Sequence, residues 1–235
     1  ESITKSIATI KTRLNYYFDN ISDKKVFGSY VRNTILPRKA DNKSDIDVMI
    51  VFENPNEYTP QTFLRYLKNF AELYYSSSEI YQSSPTIVLE LNHIKLELTP
   101  AYKKYGMLNI PNVNNQWIYT DPDGFYDELT ECNKNNSYKI KPIVRLLKHW
   151  NIQKNNRDIA SYELEKKIAA QLKYSYFNCS SYTDYLKKAL TEIKYETNWE
   201  KVNQAIEIID NALKYEKENM PYSALSEIKK VFPEV

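Results

Sequence analysis

Residues Phe27 to Phe52, FGSYVRNTILPRKADNKSDIDVMIVF, bring one of only three glycines in the chain close to two aspartates one residue apart. In an extended segment Asp45 and Asp47, at i and i+2, project from one face with their carboxylates close together. Two such charges repel unless a cation lies between them, and magnesium takes oxygen donors of this kind, with manganese as a substitute. Asp-x-Asp at a strand start also serves as a solvated edge or a turn, so a third acid bears on the choice. In IKLELT, Ile94, Leu96 and Leu98 share one face, which leaves Lys95, Glu97 and Thr99 on the other and turns Glu97 toward a neighbouring strand's Asp45 and Asp47. Three acids on adjacent strands can hold two metal ions about 3.5 to 4 Å apart, the arrangement that clamps the attacking and leaving oxygens of phosphoryl transfer. Gly28-Ser29 closes a short strand and opens a helix. Backbone can approach a ligand closely there and helix N–H groups favour a phosphate, although Gly-Ser also makes plain turns.

Other chemistries find less support. His93, His149, Cys132 and Cys179 are too scattered to make a zinc site. No Gly-x4-Gly-Lys phosphate loop is present, since Gly106 and Gly124 read as loop glycines, and no serine has a plausible partner base.

The elements that must position these acids follow from periodicity. Ile3, Ile7, Ile10, Leu14, Phe18 and Ile21 recur at steps of three or four and predict an amphipathic helix over 3–21. KKVFGS and DIDVMIVF read as strands, and PQTFLRYLKNFAELYY as a helix entered through Pro60. TIVLEL and IKLELT form a hairpin across Asn92 and His93. The stretch from Lys103 to Trp117, with Pro111 and four asparagines, reads as a loop and a domain boundary. Helices are expected near 123–133, 139–153, 160–177, 182–195 and 199–217, with a short one after Pro221. A mixed α/β half therefore precedes an all-helical half.

The 235 residues and 42% apolar content suffice for a buried core. Lys and Arg number 32 against 30 Asp and Glu, so a net charge of +2 excludes a general polyanion-binding surface. The 21 tyrosines fit a compositional bias better than an aromatic nucleic-acid platform. Two isolated cysteines point to a reducing, cytoplasmic setting. No apolar run approaches the roughly 20 residues of a membrane helix.

Gly28-Ser29, Asp45-Ile46-Asp47 and an acid on a later strand together resemble the active site of the polymerase-β-like nucleotidyltransferases. The longer series GSYVRNTILPR, SDIDVMIVF, HIKLELTPAY, IKPIVRLLKHWN and SYELE, from about Val26 to Glu165, resembles the bacterial antiphage nucleotidyltransferases of the CD-NTase or SMODS kind. That group is related to the animal cyclic GMP-AMP and oligoadenylate synthases. Two features depart from it: Glu97 stands where these families more often carry Asp, and the helical half is reduced. The resemblance implies an α+β fold in which a mixed-sheet nucleotidyltransferase core, residues 1–118, is followed by a helical bundle, 119–235, that completes the nucleotide site.

It also implies residue roles. Asp45, Asp47 and Glu97 would be the catalytic acids and hold two magnesium ions, while Gly28, Ser29, Lys148 and Ser161 would carry the triphosphate and Tyr162 would stack on the base. On their own, Lys141, Arg145 and Lys148 form a basic stripe that reads as a solvated helix face, and Ser161 and Tyr162 read as an N-cap and a core aromatic. The expected activity is polymerisation of NTPs or dNTPs, with ATP or dATP foremost, into a short linear or cyclic oligonucleotide signal for antiphage defence, read by an effector protein. Transfer to a protein, tRNA or small-molecule acceptor is the alternative in the same chemical class, and an inactive nucleotide-sensing module the alternative outside it. Tyr222, after Pro221 at a break between helices, is a candidate priming hydroxyl, against the simpler reading that it packs the last helix.

Overall fold

The computed structural model describes residues 2–54, 56–173 and 178–234. The chain forms two compact units, Glu1–Arg32 with Lys43–Asp123, and Asn33–Asn42 with Gly124–Val235.

The first unit is a mixed sheet backed by helices. Helix α1, Ile3–Tyr17, starts at Ser2, whose hydroxyl accepts from the Lys5 N–H, and buries Ile10 and Leu14. It stops four residues before the expected end because the next residues are taken by the sheet. The Asn20 carbonyl accepts from the Glu53 N–H at 2.9 Å, and Ile21 opens β1, Ile21–Phe27, opposite Phe52. Phe18 meets the Phe52 ring edge-on at 5.2 Å. The apolar residues that prolonged the helical period thus find their burial in the sheet.

Strand β2, Ile46–Phe52, runs antiparallel to β1 and parallel to β5, Lys95–Lys104. The crossover between β2 and β5 contains helix α3, Pro60–Tyr74, then β3, Glu79–Ser83, and β4, Thr86–Glu90. The sheet order is β1-β2-β5-β4-β3. Period-2 alternation divides β2 into two faces. Phe52, on one, stacks on Phe63 of α3 at 4.7 Å. Met49 and Val51, on the other, form a small cluster with Ala101 and Phe27. Asp47 shares that second face.

The segment expected to be a loop is a pair of short strands instead. Strand β5 continues to Lys104, β6 spans Met107–Pro111 and β7 spans Trp117–Tyr119. Tyr105 and Gly106 both have left-handed φ, 52° and 80°, which makes the two-residue turn that the twist of a hairpin favours. Asn112 closes the following turn, its side-chain oxygen accepting from the Asn114 and Gln116 N–H groups.

The second unit is helical: α4 Pro122–Asn135, α5 Ile140–Gln153, α6 Ser161–Leu172, α7 Tyr182–Ile193, α8 Trp199–Lys217 and α9 Pro221–Val231. Gly124 is helical here rather than a loop residue. Of the helix expected over 160–177, residues 174–177 lie outside the described residues. Ser181 and Asp184 form a capping box at the start of α7, and Leu147, Trp150, Leu164 and Ile168 lie at the centre of the helical core. Segment Asn33–Asn42 is fastened to this unit by polar contacts. Arg145 donates to the Asn33 carbonyl at 2.7 Å, Lys148 to the Thr34 carbonyl at 3.1 Å, and Arg157 pairs with Asp41 at 2.8 Å.

Candidate active site

Strand register decides which acids can meet. Asp47 pairs across β2 and β5 with Glu97, in a parallel ladder where residues in register present their side chains on the same face. Asp45 lies just before β2, and Phe27, the last residue of β1, is opposite Asp47. The chain turns there through Gly28, whose φ is +74°, into helix α2, Gly28–Val31. This helix is a single turn, so its dipole is much smaller than a longer helix would supply. What Gly28 contributes is space. A Cβ at this position would lie 1.8 Å from Asp47 Oδ2, so the carboxylate occupies the volume that any other side chain would fill.

A lysine that alternation places on this face, and to which the sequence attached no role, joins the acids. Lys95 Nζ lies 3.0 Å from Glu97 Oε1 and 3.5 Å from Asp45 Oδ2, with only 13% of its side chain exposed. Burial lowers the pKa of Lys95, but the hydrogen bond and charge of Glu97 and then the charge of Asp45 outweigh that and leave it raised. Thr86, on β4, shares its hydroxyl proton between the Ser83 carbonyl at 3.0 Å and Glu97 Oε2 at 3.3 Å. Strand alternation could have indicated Lys95; nothing local marks Thr86, which reaches Glu97 only through the hairpin.

The Asp45 carboxyl is pushed up to about 6, first by burial and then by the negative charge of Glu97, with Lys95 pulling the other way. Because its folded pKa exceeds the ordinary 3.8, the folded chain takes up a proton that the unfolded chain releases. Stability therefore grows as pH falls through about 6 and is lost as it rises. With divalent ions chelated, the melting temperature should rise from about pH 7 to about pH 5, and Asp45→Asn should flatten that rise. A wild-type profile no steeper than that of the variant would remove the argument.

The donor set fits a hard divalent cation. All three candidate ligands offer carboxylate oxygens: Asp45 and Glu97 meet at Lys95, and Asp47 is in register with Glu97. Among the described residues no three His, Cys, Asp or Glu side chains are gathered as a finished metal site. The cation between Asp45 and Glu97 is Lys95.

The remaining candidates lie in the helical unit. Lys148 is buried, ion-paired with the buried Glu165 and bonded to Thr34, so its ammonium is engaged in the unit's interior. The basic stripe is not a solvated face either: Lys141 Nζ reaches the Thr130 hydroxyl at 3.2 Å, and Arg145 holds Asn33. Ser161 is the exposed first residue of α6, with Ala160 rather than Ser161 in the capping position. Tyr162 is no core aromatic. It is 47% exposed, its ring edge-on to Phe125 at 5.2 Å and with Lys166 Nζ 5.4 Å from its centre. Tyr222 is 88% exposed in the first turn of α9, which excludes the reading that it packs that helix.

The profile of the Second Messenger Oligonucleotide or Dinucleotide Synthetase domain matches residues 1–133, more than half of the chain. The chain belongs to this synthetase family. A cyclic AMP-AMP-AMP synthase of Acinetobacter sp. (strain ATCC 27244 / 9458) is 23% identical over 175 residues, 70% of this chain and 50% of its own. A "probable cyclic nucleotide synthase" of Bacillus cereus (strain VD146) is 25% identical over 189 residues, 67% of this chain and 57% of its own. The chain thus spans about half the length of the curated relatives it matches. E. coli MS115-1 CdnC, solved with ATP, superposes with a TM-score of 0.72 at 12% identity over 98% of this chain and 91% of its own. Vibrio cholerae DncV in its apo form gives 0.72 at 13% over 90% and 68%. At such identities these likenesses establish the fold: a mixed-sheet nucleotidyltransferase core with a helical C-terminal part.

Among the described residues no helix is long and apolar enough to cross a membrane.

Proposed function

We propose that this member of the synthetase family is a magnesium-dependent nucleotidyltransferase that joins nucleoside triphosphates, ATP or dATP foremost, into a short linear or cyclic oligonucleotide. The observation that carries the proposal is the register of Asp47 with Glu97 on parallel strands, beside a glycine whose missing side chain makes room for the Asp47 carboxylate. Asp45, Asp47 and Glu97 would hold the magnesium ions, or manganese in their place, which supply charge neutralisation at the phosphates and lower the pKa of the attacking hydroxyl.

The chain's own groups do the rest. Gly28-Ser29, beside the Asp47 carboxylate, would carry the triphosphate next to the acids. An acceptor hydroxyl attacks the α-phosphorus, the new P–O bond forms as the α,β bridging bond breaks, and pyrophosphate leaves. Glu97 would help take the proton from the acceptor, unless lowering of the hydroxyl's pKa by the metal suffices. The exposed Ser161 hydroxyl offers a contact for phosphate, and the half-exposed Tyr162 ring a face for the base. Lys148, proposed to contact the triphosphate, also fastens segment Asn33–Asn42 to α5 through Thr34.

Base stacking contributes about 1 to 3 kcal/mol and needs only the ring face. Tyr162→Ala should therefore raise KM for nucleotide about tenfold while Tyr162→Phe leaves it near the wild-type value. Equal losses would assign the role to the hydroxyl.

The deciding experiment incubates the protein with each NTP and dNTP and magnesium, following pyrophosphate release and the masses of the products. An oligonucleotide ladder or a cyclic product supports the proposal. Mass shifts on added protein, tRNA or small molecules would move the acceptor elsewhere, and no release from any triphosphate would overturn the enzyme reading. Intact-protein mass spectrometry of the same reactions tests Tyr222 as the first acceptor, since adducts that persist in Tyr222→Phe exclude it. A product of this kind calls for an effector protein that reads it in antiphage defence.

A further inference from the structure

We propose that Lys95 is an internal counter-ion that keeps Asp45 and Glu97 together before metal binds, and that the first divalent cation must displace it. The inference rests on the proposed function, because it takes these acids to be the metal ligands. Lys95 and Glu97 are at i and i+2 of β5, so their side chains rise from the same face, and the ammonium spans from Glu97 at 3.0 Å to Asp45 at 3.5 Å. It is not a loosely held surface lysine, since only 13% of its side chain is exposed.

Charge balance governs how such a cluster behaves. Asp45 and Glu97 bring two carboxylates to one ammonium, Lys95 returns one positive charge, and Asp47 stands in register with Glu97 on the neighbouring strand. Without it the carboxylates would repel and splay, and the cluster would have to be reassembled each time a metal arrived. With it they are held close, but an ammonium and a divalent cation cannot both occupy the space between the same two carboxylates. Entry of the cation therefore breaks two ion pairs and turns Lys95 away. Lys95 is a positioning residue on this account: it shapes the acid cluster while setting how readily that cluster loads.

The opposing effects of removing it make the test specific. Lys95→Met keeps the stem and deletes the charge. In chelator it should melt below wild type, because Asp45 and Glu97 are left unopposed. It should nevertheless bind manganese about tenfold more tightly, the combined worth of two partly exposed ion pairs that no longer compete. Lys95→Arg should restore both properties toward wild type, and Lys95→Gln, which keeps a hydrogen-bond donor, should bind manganese as tightly as Lys95→Met while folding more readily. Free manganese is read by electron paramagnetic resonance, with no nucleotide present. A merely structural lysine would weaken both stability and metal affinity when removed. Affinity in Lys95→Met and Lys95→Gln equal to or below that of wild type would overturn the proposal. Asp45→Asn and Asp47→Asn separate this failure from that of the function: if neither weakens manganese binding, the acids are not the ligands and both readings fall.

Discussion

Asp45→Asn combined with Asp47→Asn should abolish nucleotide transfer while leaving the metal-free fold at least as stable as wild type. The first half follows from what the acids would hold. Metal ions at a phosphoryl centre are worth several kcal/mol of transition-state stabilisation, so losing them should lower the rate by about a thousandfold or more. The second half follows from the observed environment of Asp45, whose carboxyl is pushed up to about 6 by burial and by Glu97. A group that is costly to ionise in the folded state is relieved by a neutral amide of nearly the same shape. The amide oxygen that Asp45→Asn introduces can still accept from Lys95, though more weakly, and Glu97 keeps its own partner at 3.0 Å. Pyrophosphate release and a melting curve in chelator measure the two halves. A steep fall in melting temperature would make the acids structural elements of the sheet edge, and full activity would place the chemistry elsewhere.

How far the site was legible depended on the distance over which its parts are specified. Asp47 and Glu97 could be put on one face because strand alternation is local and Leu96 and Leu98 are as apolar as a buried face requires. Their meeting required only that β2 and β5 be neighbours, and the acids themselves suggested that. The bridging lysine was visible in the same alternation but had no assigned partner, since Asp41-Asn42-Lys43-Ser44 marks a turn before Ile46 without saying that the turn brings Asp45 within 3.5 Å of Lys95. In the helical unit the local pattern misleads for a different reason. A stripe at i, i+4 and i+7 looks the same whether it faces water, a phosphate or a backbone segment more than a hundred residues earlier. Arg145 and Lys148 face Asn33 and Thr34, a contact no local pattern encodes. Tyr105 at positive φ concealed the β5–β6 turn, because a bulky residue is rare there and the expected Asn-Gly signature is missing.

Two glycines allow the most specific test of how the fold serves the site, because they share a backbone conformation and differ in surroundings. Gly28 has φ +74° and Gly106 φ +80°. Alanine at either position carries a left-handed strain of about 1 kcal/mol. At Gly106 nothing lies within 4 Å of the added Cβ, so Gly106→Ala should lower the melting temperature slightly and leave transfer unchanged. At Gly28 the Cβ would fall 1.8 Å from Asp47 Oδ2 and 2.7 Å from its Cγ, so one of the two must move. The Asp47 side chain is short and its backbone is fixed between β1 and β5, so the shift falls on the carboxylate that the site needs. Overpacking of this kind costs about 1 to 3 kcal/mol, and a displacement of about 1 Å in a reacting geometry costs about a hundredfold in rate. Gly28→Ala should thus lose about a hundredfold in kcat/KM and bind manganese more weakly, with a melting temperature several degrees below that of Gly106→Ala. If the two variants lose stability equally and Gly28→Ala retains activity, Asp47 has room to spare, and the close approach of Gly28 is not what holds the acid in place.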